Sequence, residues 1–290
     1  MAESSPRTDG SLDRALALAR EALAEPPAGL LTDFDGTLSP IVADPSMASP
    51  ADGVVDALRS LTGRLAVVAI VTGRAPLDAR RMVGVPELLV AGNHGTEWLE
   101  PSAAEPTASP EAARLRLLLD GMLDRLPELD GISIEHKGLS ATVHYRNAPD
   151  PDAALAILRR ALGEAPAGLA LRSGRMSIEL RPVGLGDKGA ATRTIIERFG
   201  LRGVVVMGDD LTDLDMFAAV ADARAAGRLR GAIIGVGGAD EELPPAVAEA
   251  ADAVLPSVAE VASLLADLAA SVSGSPRSRR GPRAGGAATR

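Results

Sequence analysis

Apolar residues gather along this chain in two kinds of run. Short runs rich in Val, Leu and Ile occur at 29–34, 65–71, 87–91, 203–207 and 231–236, that at 65–71 (LAVVAIV) being unbroken. Runs of that length predict strands buried on both faces. Between them, apolar positions recur at helical spacing over 11–25, 52–62, 188–199, 212–220 and 257–270. The first of these has Ser11 or Asp13 near its cap position. Alternation of strand and helix predicts an α/β fold, a Rossmann-like parallel sheet covered by helices on both sides.

The middle of the chain breaks this rhythm. Residues 100–110 (EPSAAEPTASP) read as a linker. A helix at 111–126 follows, then alternating segments at 131–136 and 139–145, a helix at 151–163, and strand-like runs at 168–173 and 176–181. This order predicts a smaller α+β unit at 100–183, inserted into a core formed by 27–99 and 184–270. Residues 1–26 read as an N-terminal tail and helix, with 1–10 disordered. Residues 271–290 read as a disordered basic tail, for 273–290 hold five arginines and no acid. A solubilising extension is the plain reading of that tail, and contact with nucleic acid or membrane the alternative.

Composition narrows the classes. The 290 residues carry a net charge of −9, unlike a nucleic-acid binder that collects lysine and arginine. The absence of cysteine excludes disulfides and thiolate chemistry, and three scattered histidines disfavour a histidine metal site. No apolar run is long enough to span a bilayer, and the polar start MAESSPRTDG has no signal core. These features lead to the expectation of a soluble cytoplasmic protein.

Four segments carry candidate chemistry, each at the end of a predicted strand or the start of a helix, where open α/β sheets bind ligands. In Asp33-Phe34-Asp35-Gly36-Thr37 two carboxylates stand two residues apart, so they can point the same way. One can attack phosphorus as a nucleophile, and the other can protonate the leaving oxygen and then activate water. An acidic turn is the bland alternative. A calcium loop is disfavoured, because Thr37 and Asp44 stand where such a loop needs an acid or amide and a glutamate. Thr72, before Gly73 and Arg74, can donate a hydroxyl to a phosphoryl oxygen, or simply close a turn. Lys188, at a helix start after Asp187, can offset anionic charge or be a surface lysine; the spacing is not that of a nucleotide P-loop. Asp209, Asp210 and Asp213 follow a buried strand. Hard carboxylate oxygens in small number suit Mg²⁺, whereas a helix cap would explain one acid and not three. Together the segments supply the positioning and charge neutralisation that phosphoryl transfer requires.

In this order the motifs resemble the haloacid dehalogenase superfamily of phosphatases. The resemblance implies that Asp33 is the nucleophile and Asp35 the general acid/base, and that Thr72 and Lys188 bind the phosphoryl group. It implies Mg²⁺ held by Asp33, the backbone carbonyl of Asp35 and Asp209, with Asp210 and Asp213 in the outer shell or Asp213 orienting Lys188. The stretch between Asp33 and Thr72 is too short for a core helix and a large cap. The inserted unit is therefore a cap between the second and third motifs, and members built that way commonly act on sugar phosphates. Longer strings are similar to the trehalose-6-phosphate phosphatases: 91–97 (AGNHGTE), 135–140 (EHKGLS), 144–146 (HYR), 178–182 (IELRP) and 208–217 (GDDLTDLDMF). Leu214 and Asp187 depart from that family's usual Glu and Asn.

The resemblance implies Arg74, Asn93, His94, Glu135, Lys137, His144, Arg146 and Glu179 as substrate-binding residues. Polar side chains on cap strands can pair with sugar hydroxyls, or form a solvated, salt-bridged face. Trp98 and Tyr145 can line the sugar pocket or pack in a core or hinge. The 235–238 stretch (GVGG) lacks dinucleotide-loop spacing and reads as a turn. The expected reaction is hydrolysis of trehalose 6-phosphate, with functional coupling to a trehalose-6-phosphate synthase as a possible partnership and no nucleic-acid or membrane partner. Rival readings are a phosphatase for sucrose phosphate or mannosylphosphoglycerate, and a non-catalytic sugar-phosphate sensor. A phosphomutase is disfavoured by the missing cap between the first two motifs.

Overall fold

Burial decides where the sheet lies. Strands β1 (Ala28–Thr32) and β2 (Val67–Val71) are buried at every position, as parallel strands with helices on both faces must be. The computed structural model describes residues 9–42, 44–137, 139–174, 176–183, 186–238 and 243–271. After β2 come α3 (Pro76–Val83), β3 (Leu89–Gly92), β4 (Glu97–Leu99) and β5 (Thr107–Ala108). Helices α1 (Asp9–Leu23) and α2 (Val54–Thr62) flank β1 in the chain.

The smaller unit follows as α4 (Pro110–Leu123), β6 (Ser133–Lys137), β7 (Ser140–His144), α5 (Pro151–Leu162), β8 (Leu169–Gly174) and β9 (Ser177–Pro182). The chain returns to the large sheet through α6 (Lys188–Phe199), β10 (Gly203–Gly208), α7 (Leu214–Ala225), β11 (Arg230–Val236), α8 (Pro245–Ala250), β12 (Ala253–Leu255) and α9 (Val258–Ser271). Among the described residues no helix is long and apolar enough to cross a membrane.

The large sheet has the order β12-β11-β10-β1-β2-β3-β4-β5. Its first six strands run parallel, and β4 and β5 turn back antiparallel. Alternation along β1 splits the core into two layers. Leu30 joins Leu58, Leu61, Leu264 and Leu268 on one face, and Leu31 joins Ile195, Phe217 and Val220 on the other. Ile70 is fully buried in the first layer. Ile70→Val should cost about 0.5–1.5 kcal/mol for the lost methylene, read as a lowered urea midpoint at unchanged slope.

The smaller sheet, β6-β7-β9-β8, is antiparallel. One face packs Ala141, Val143, Ile178 and Leu180 against Leu115, Leu119, Leu158 and Leu162 of the two helices. The register places Glu135, Thr142, Glu179 and Arg172 side by side in one row across the four strands. Strand parity puts that row on the opposite, polar face.

The expected strands and longer helices recur within a few residues. Five elements were not expected, namely α3, β4, β5, α8 and β12. The strands among them have two or three residues, α8 has six, and α3 (PLDARRMV) has eight with three charges among its apolar positions, so none offers a long periodic run to read. Residues 100–110 are not a plain linker, because Thr107–Ala108 pair with β4 and α4 begins at Pro110. Both β5 residues are exposed, which hides an edge strand from an apolar pattern. Helix α1 starts at Asp9, inside the expected tail. The rest of that tail, 1–8, and the basic tail from 272 lie outside the described residues.

Candidate active site

The order of strands assembles the site. β1 lies between β10 and β2, with Thr32 level with Met207 on one side and Ile70 on the other. The loops after these three strands therefore meet at one edge, and they carry Asp33, Asp209 and Thr72. Asp33 and Thr72 are buried. Gly36 has φ +76°, and a Cβ there would fall 1.9 Å from the Asp209 carboxylate. That glycine lets the first loop lie against the last one, where Thr37 Oγ1 donates to Asp209 Oδ1 at 2.8 Å. Thr72 Oγ1 accepts the Arg74 N–H at 3.2 Å, which leaves its own proton free to donate.

Lys188 opens α6, whose N-terminus Asp187 caps by accepting the Ala190 N–H at 2.5 Å. Its ammonium lies 2.9 Å from Asp33 Oδ2 and 2.7 Å from Asp213 Oδ1. Asp213 is wholly buried, and its other oxygen accepts the N–H groups of Asp209 and Asp210 at 2.9 and 3.0 Å. Asp213 thus orients both Lys188 and the loop after β10. Asp210 is exposed and caps the following turn, accepting the Leu211 N–H at 2.6 Å.

Carboxylate oxygens of Asp33, Asp209 and Asp213 converge within 4.8 Å of one another. Burial pushes Asp33 up to about 7 against the lowering pull of Lys188. Burial also pushes Asp209 up to about 8, with the Asp33 charge next in importance. Burial works against the charge on Lys188, but Asp33 and Asp213 outweigh it and hold the amine above the ordinary lysine range. One ammonium beside three clustered acids, two buried and Asp209 half-buried, is too little positive charge to balance all three when ionised. Hard oxygens in that state fit a divalent cation. Asp33 and Asp209 are the natural ligands, since both oxygens of Asp213 are already engaged.

Arg74 grips Asp35. Its Nε and Nη2 donate to Asp35 Oδ2 and Oδ1 at 2.6 Å each, and its guanidinium sits 5.4 Å from the Phe34 ring centroid. Asn93 and His94 form a left-handed turn, with φ of 48° and 57°, a costly conformation for residues with side chains. The turn lays the His94 ring against Gly73, where a Cβ would meet it at 2.9 Å. Asn93 Nδ2 donates to Glu97. Burial and the neighbouring Lys188 lower the His94 pKa.

Two clefts flank the Asp33–Lys188 pair. One of about 720 Å³ holds Asp33, Asp35, Asp209 and Asp210, with Ile41, Leu243 and Val258 on its walls. The other, about 390 Å³, lies between the two sheets. Its core wall is Gly73, Asn93, His94 and Lys188, and its opposite wall is Leu139, Ser140, Glu179 and Arg181 of the smaller unit. Glu135 and His144 share that polar face and stand 3.4 Å apart, but they are not among the residues lining the cleft. Arg146 is exposed beyond the end of β7, and the Lys137 side chain lies outside the described residues. Trp98 packs against the core and Tyr145 inside the smaller unit.

Sequence reasoning missed Thr37, Ser140 and Arg181 as site residues. Thr37 completes the first motif, and Arg181 follows Glu179 by two residues on one strand, so strand parity could have found it.

A family model for trehalose-phosphatases matches residues 31–233. An uncharacterized glycosyl hydrolase of Mycobacterium tuberculosis is 42% identical over 200 residues, which is 65% of this chain and 15% of that one. A trehalose-phosphate phosphatase of Mycobacterium marinum is 38% identical over 216 residues, covering 69% of this chain and 53% of its own length. The chain thus spans about half of that phosphatase and a small part of the hydrolase. Among solved structures, Aspergillus fumigatus trehalose-6-phosphate phosphatase is 25% identical with a TM-score of 0.56, covering 90% of this chain and 97% of that one.

Proposed function

The chain belongs to the trehalose-phosphatase family, and from that premise we propose that it hydrolyses trehalose 6-phosphate to trehalose and phosphate through an aspartyl-phosphate on Asp33. One observation carries the reading. Lys188, held between Asp33 and Asp213, lines a cleft whose far wall brings Ser140, Glu179 and Arg181 of the smaller sheet opposite it.

In this scheme an Asp33 carboxylate oxygen bonds to phosphorus. The ester P–O bond breaks, its electrons pass to the sugar oxygen, and Asp35 supplies the proton that oxygen takes up. Lys188 and Thr72 hold the phosphoryl oxygens. Asp35 then takes a proton from water as the water oxygen attacks phosphorus and frees Asp33. Asp33, Asp209 and the backbone carbonyl of Asp35 would hold Mg²⁺, which when bound neutralises phosphoryl charge. Asn93, His94 and Glu179 face the sugar from the cleft walls, and Glu135, Lys137 and His144 join them as the polar face closes.

Phosphate release from trehalose 6-phosphate, sucrose phosphate and mannosylphosphoglycerate tests this. We expect kcat/KM for trehalose 6-phosphate to lead by about 10²-fold or more, as for a site that hydrogen-bonds its substrate's hydroxyls. EDTA should remove the activity and Mg²⁺ restore it. Equal rates on all three would replace the substrate, and no release from any would leave only a sensor.

A further inference from the structure

We propose that Arg74 is a positioning residue for the proton-transfer carboxylate: it acts on the reaction through Asp35, by fixing the plane and place of that carboxylate, and not by contact with the sugar. The inference rests on the phosphatase reading and goes beyond it, since sequence alone put Arg74 among the substrate-binding residues.

Geometry carries the argument. The two 2.6 Å bonds from Nε and Nη2 to the two oxygens of Asp35 form a parallel fork, which defines a carboxylate plane as a single point charge cannot. The fork is itself held. Arg74 side-chain exposure is 15%, and the guanidinium lies over the fully buried Phe34. The Arg74 backbone donates to Thr72 Oγ1 at 3.2 Å and accepts the Asn93 N–H at 2.9 Å. Arg74 therefore ties Asp35 to the hydroxyl clamp and to the left-handed turn.

Placement argues against a sugar contact. The cleft between the two sheets includes Gly73 but not Arg74 in its lining. Arg74 instead lies with Asp35, Ile41, Val42 and Pro45 around a neighbouring hollow, which meets the cleft at Gly73. Each Asp35 oxygen keeps a further lone pair beyond the one the fork uses, so a proton can still pass through the carboxylate while Arg74 holds it.

A positioning role has a signature that sugar or phosphate binding lacks. Proton transfer by Asp35 matters most when the leaving group is a sugar alkoxide, and little when it is p-nitrophenolate, which departs without a proton. Purified enzyme with Mg²⁺ is assayed for steady-state turnover of trehalose 6-phosphate and for the pre-steady-state burst of p-nitrophenolate from p-nitrophenyl phosphate. Arg74→Ala should lower kcat for trehalose 6-phosphate on the order of 10²-fold, the cost of a misplaced catalytic group. KM and the burst rate should each change by less than about threefold, with no misplaced group to penalise a step that needs none. In an Asp35→Asn background the same substitution should cost no more than about twofold, because coupled groups do not add. Arg74→Lys keeps the charge and loses the fork, so it should fall most of the way; it serves for the same comparisons should the alanine variant unfold.

A raised KM with equal losses on both substrates would make Arg74 a phosphate-binding cation and overturn the proposal. Losses that multiply in the Asp35→Asn background would overturn it as well, and so would full activity of Arg74→Ala. Each of those results needs an active wild-type enzyme, so they fail Arg74 alone. A wild type that releases no phosphate at all would fail the phosphatase reading instead.

Discussion

Asp33→Asn should abolish turnover while the fold survives. An amide cannot form the acyl phosphate, and loss of a nucleophile that works as part of a unit costs on the order of 10⁴–10⁶ in kcat. Phosphate release with Mg²⁺ measures this, and turnover within tenfold of wild type would exclude Asp33 as the nucleophile. Stability should move little. The substitution takes one Lys188 partner away, and Asp213 keeps the other at 2.7 Å. In exchange a buried carboxylate, which burial pushes up to about 7, becomes neutral. Thermal unfolding in EDTA should therefore give a midpoint equal to or above that of the wild type.

Asp213→Ala should have the opposite profile, a large loss of stability together with a loss of rate. Removing it strands two backbone N–H groups and leaves Lys188 half-paired in the interior. Breaking a buried charge pair in that way costs about 3–5 kcal/mol. Urea unfolding reads this directly, and kcat/KM should fall about 10²-fold as the ammonium loses its fixed position. Asp210→Ala is the control. It removes an exposed helix cap and should cost only about 1 kcal/mol. Equal costs at the two positions would mean that Asp213, too, is merely a cap.

These two aspartates mark what a sequence can and cannot tell. The strand-end location of Asp33, Asp209 and Thr72 was legible because β1, β2 and β10 are apolar runs, and burial on both faces leaves them no other pattern. The three acids after β10 were legible as a group. The resemblance offered Asp213 either as outer shell or as the orienter of Lys188, and spacing alone could not choose, because Asp210 and Asp213 differ only in which way the turn points them. The grip of Arg74 on Asp35 was invisible for a similar reason: the pair spans two strands, and neither local spacing nor composition records it. The row from Glu135 to Arg172 could be read strand by strand from period-two alternation, but its alignment needs the register. The short elements β4, β5, α8 and β12 stayed hidden because two to six residues hold no period.

The smaller sheet has a further consequence. Along β7, Ala141 and Val143 anchor the helices while Ser140, Thr142 and His144 face the other way. Every second codon of such a strand can drift under selection for a new sugar without disturbing the packing that keeps the unit folded. The groups proposed to handle phosphate, Asp33, Thr72 and Lys188, lie on loops and a helix start beside a different sheet, outside that drift. A lineage built on this plan can change its diet while its chemistry stays as inherited.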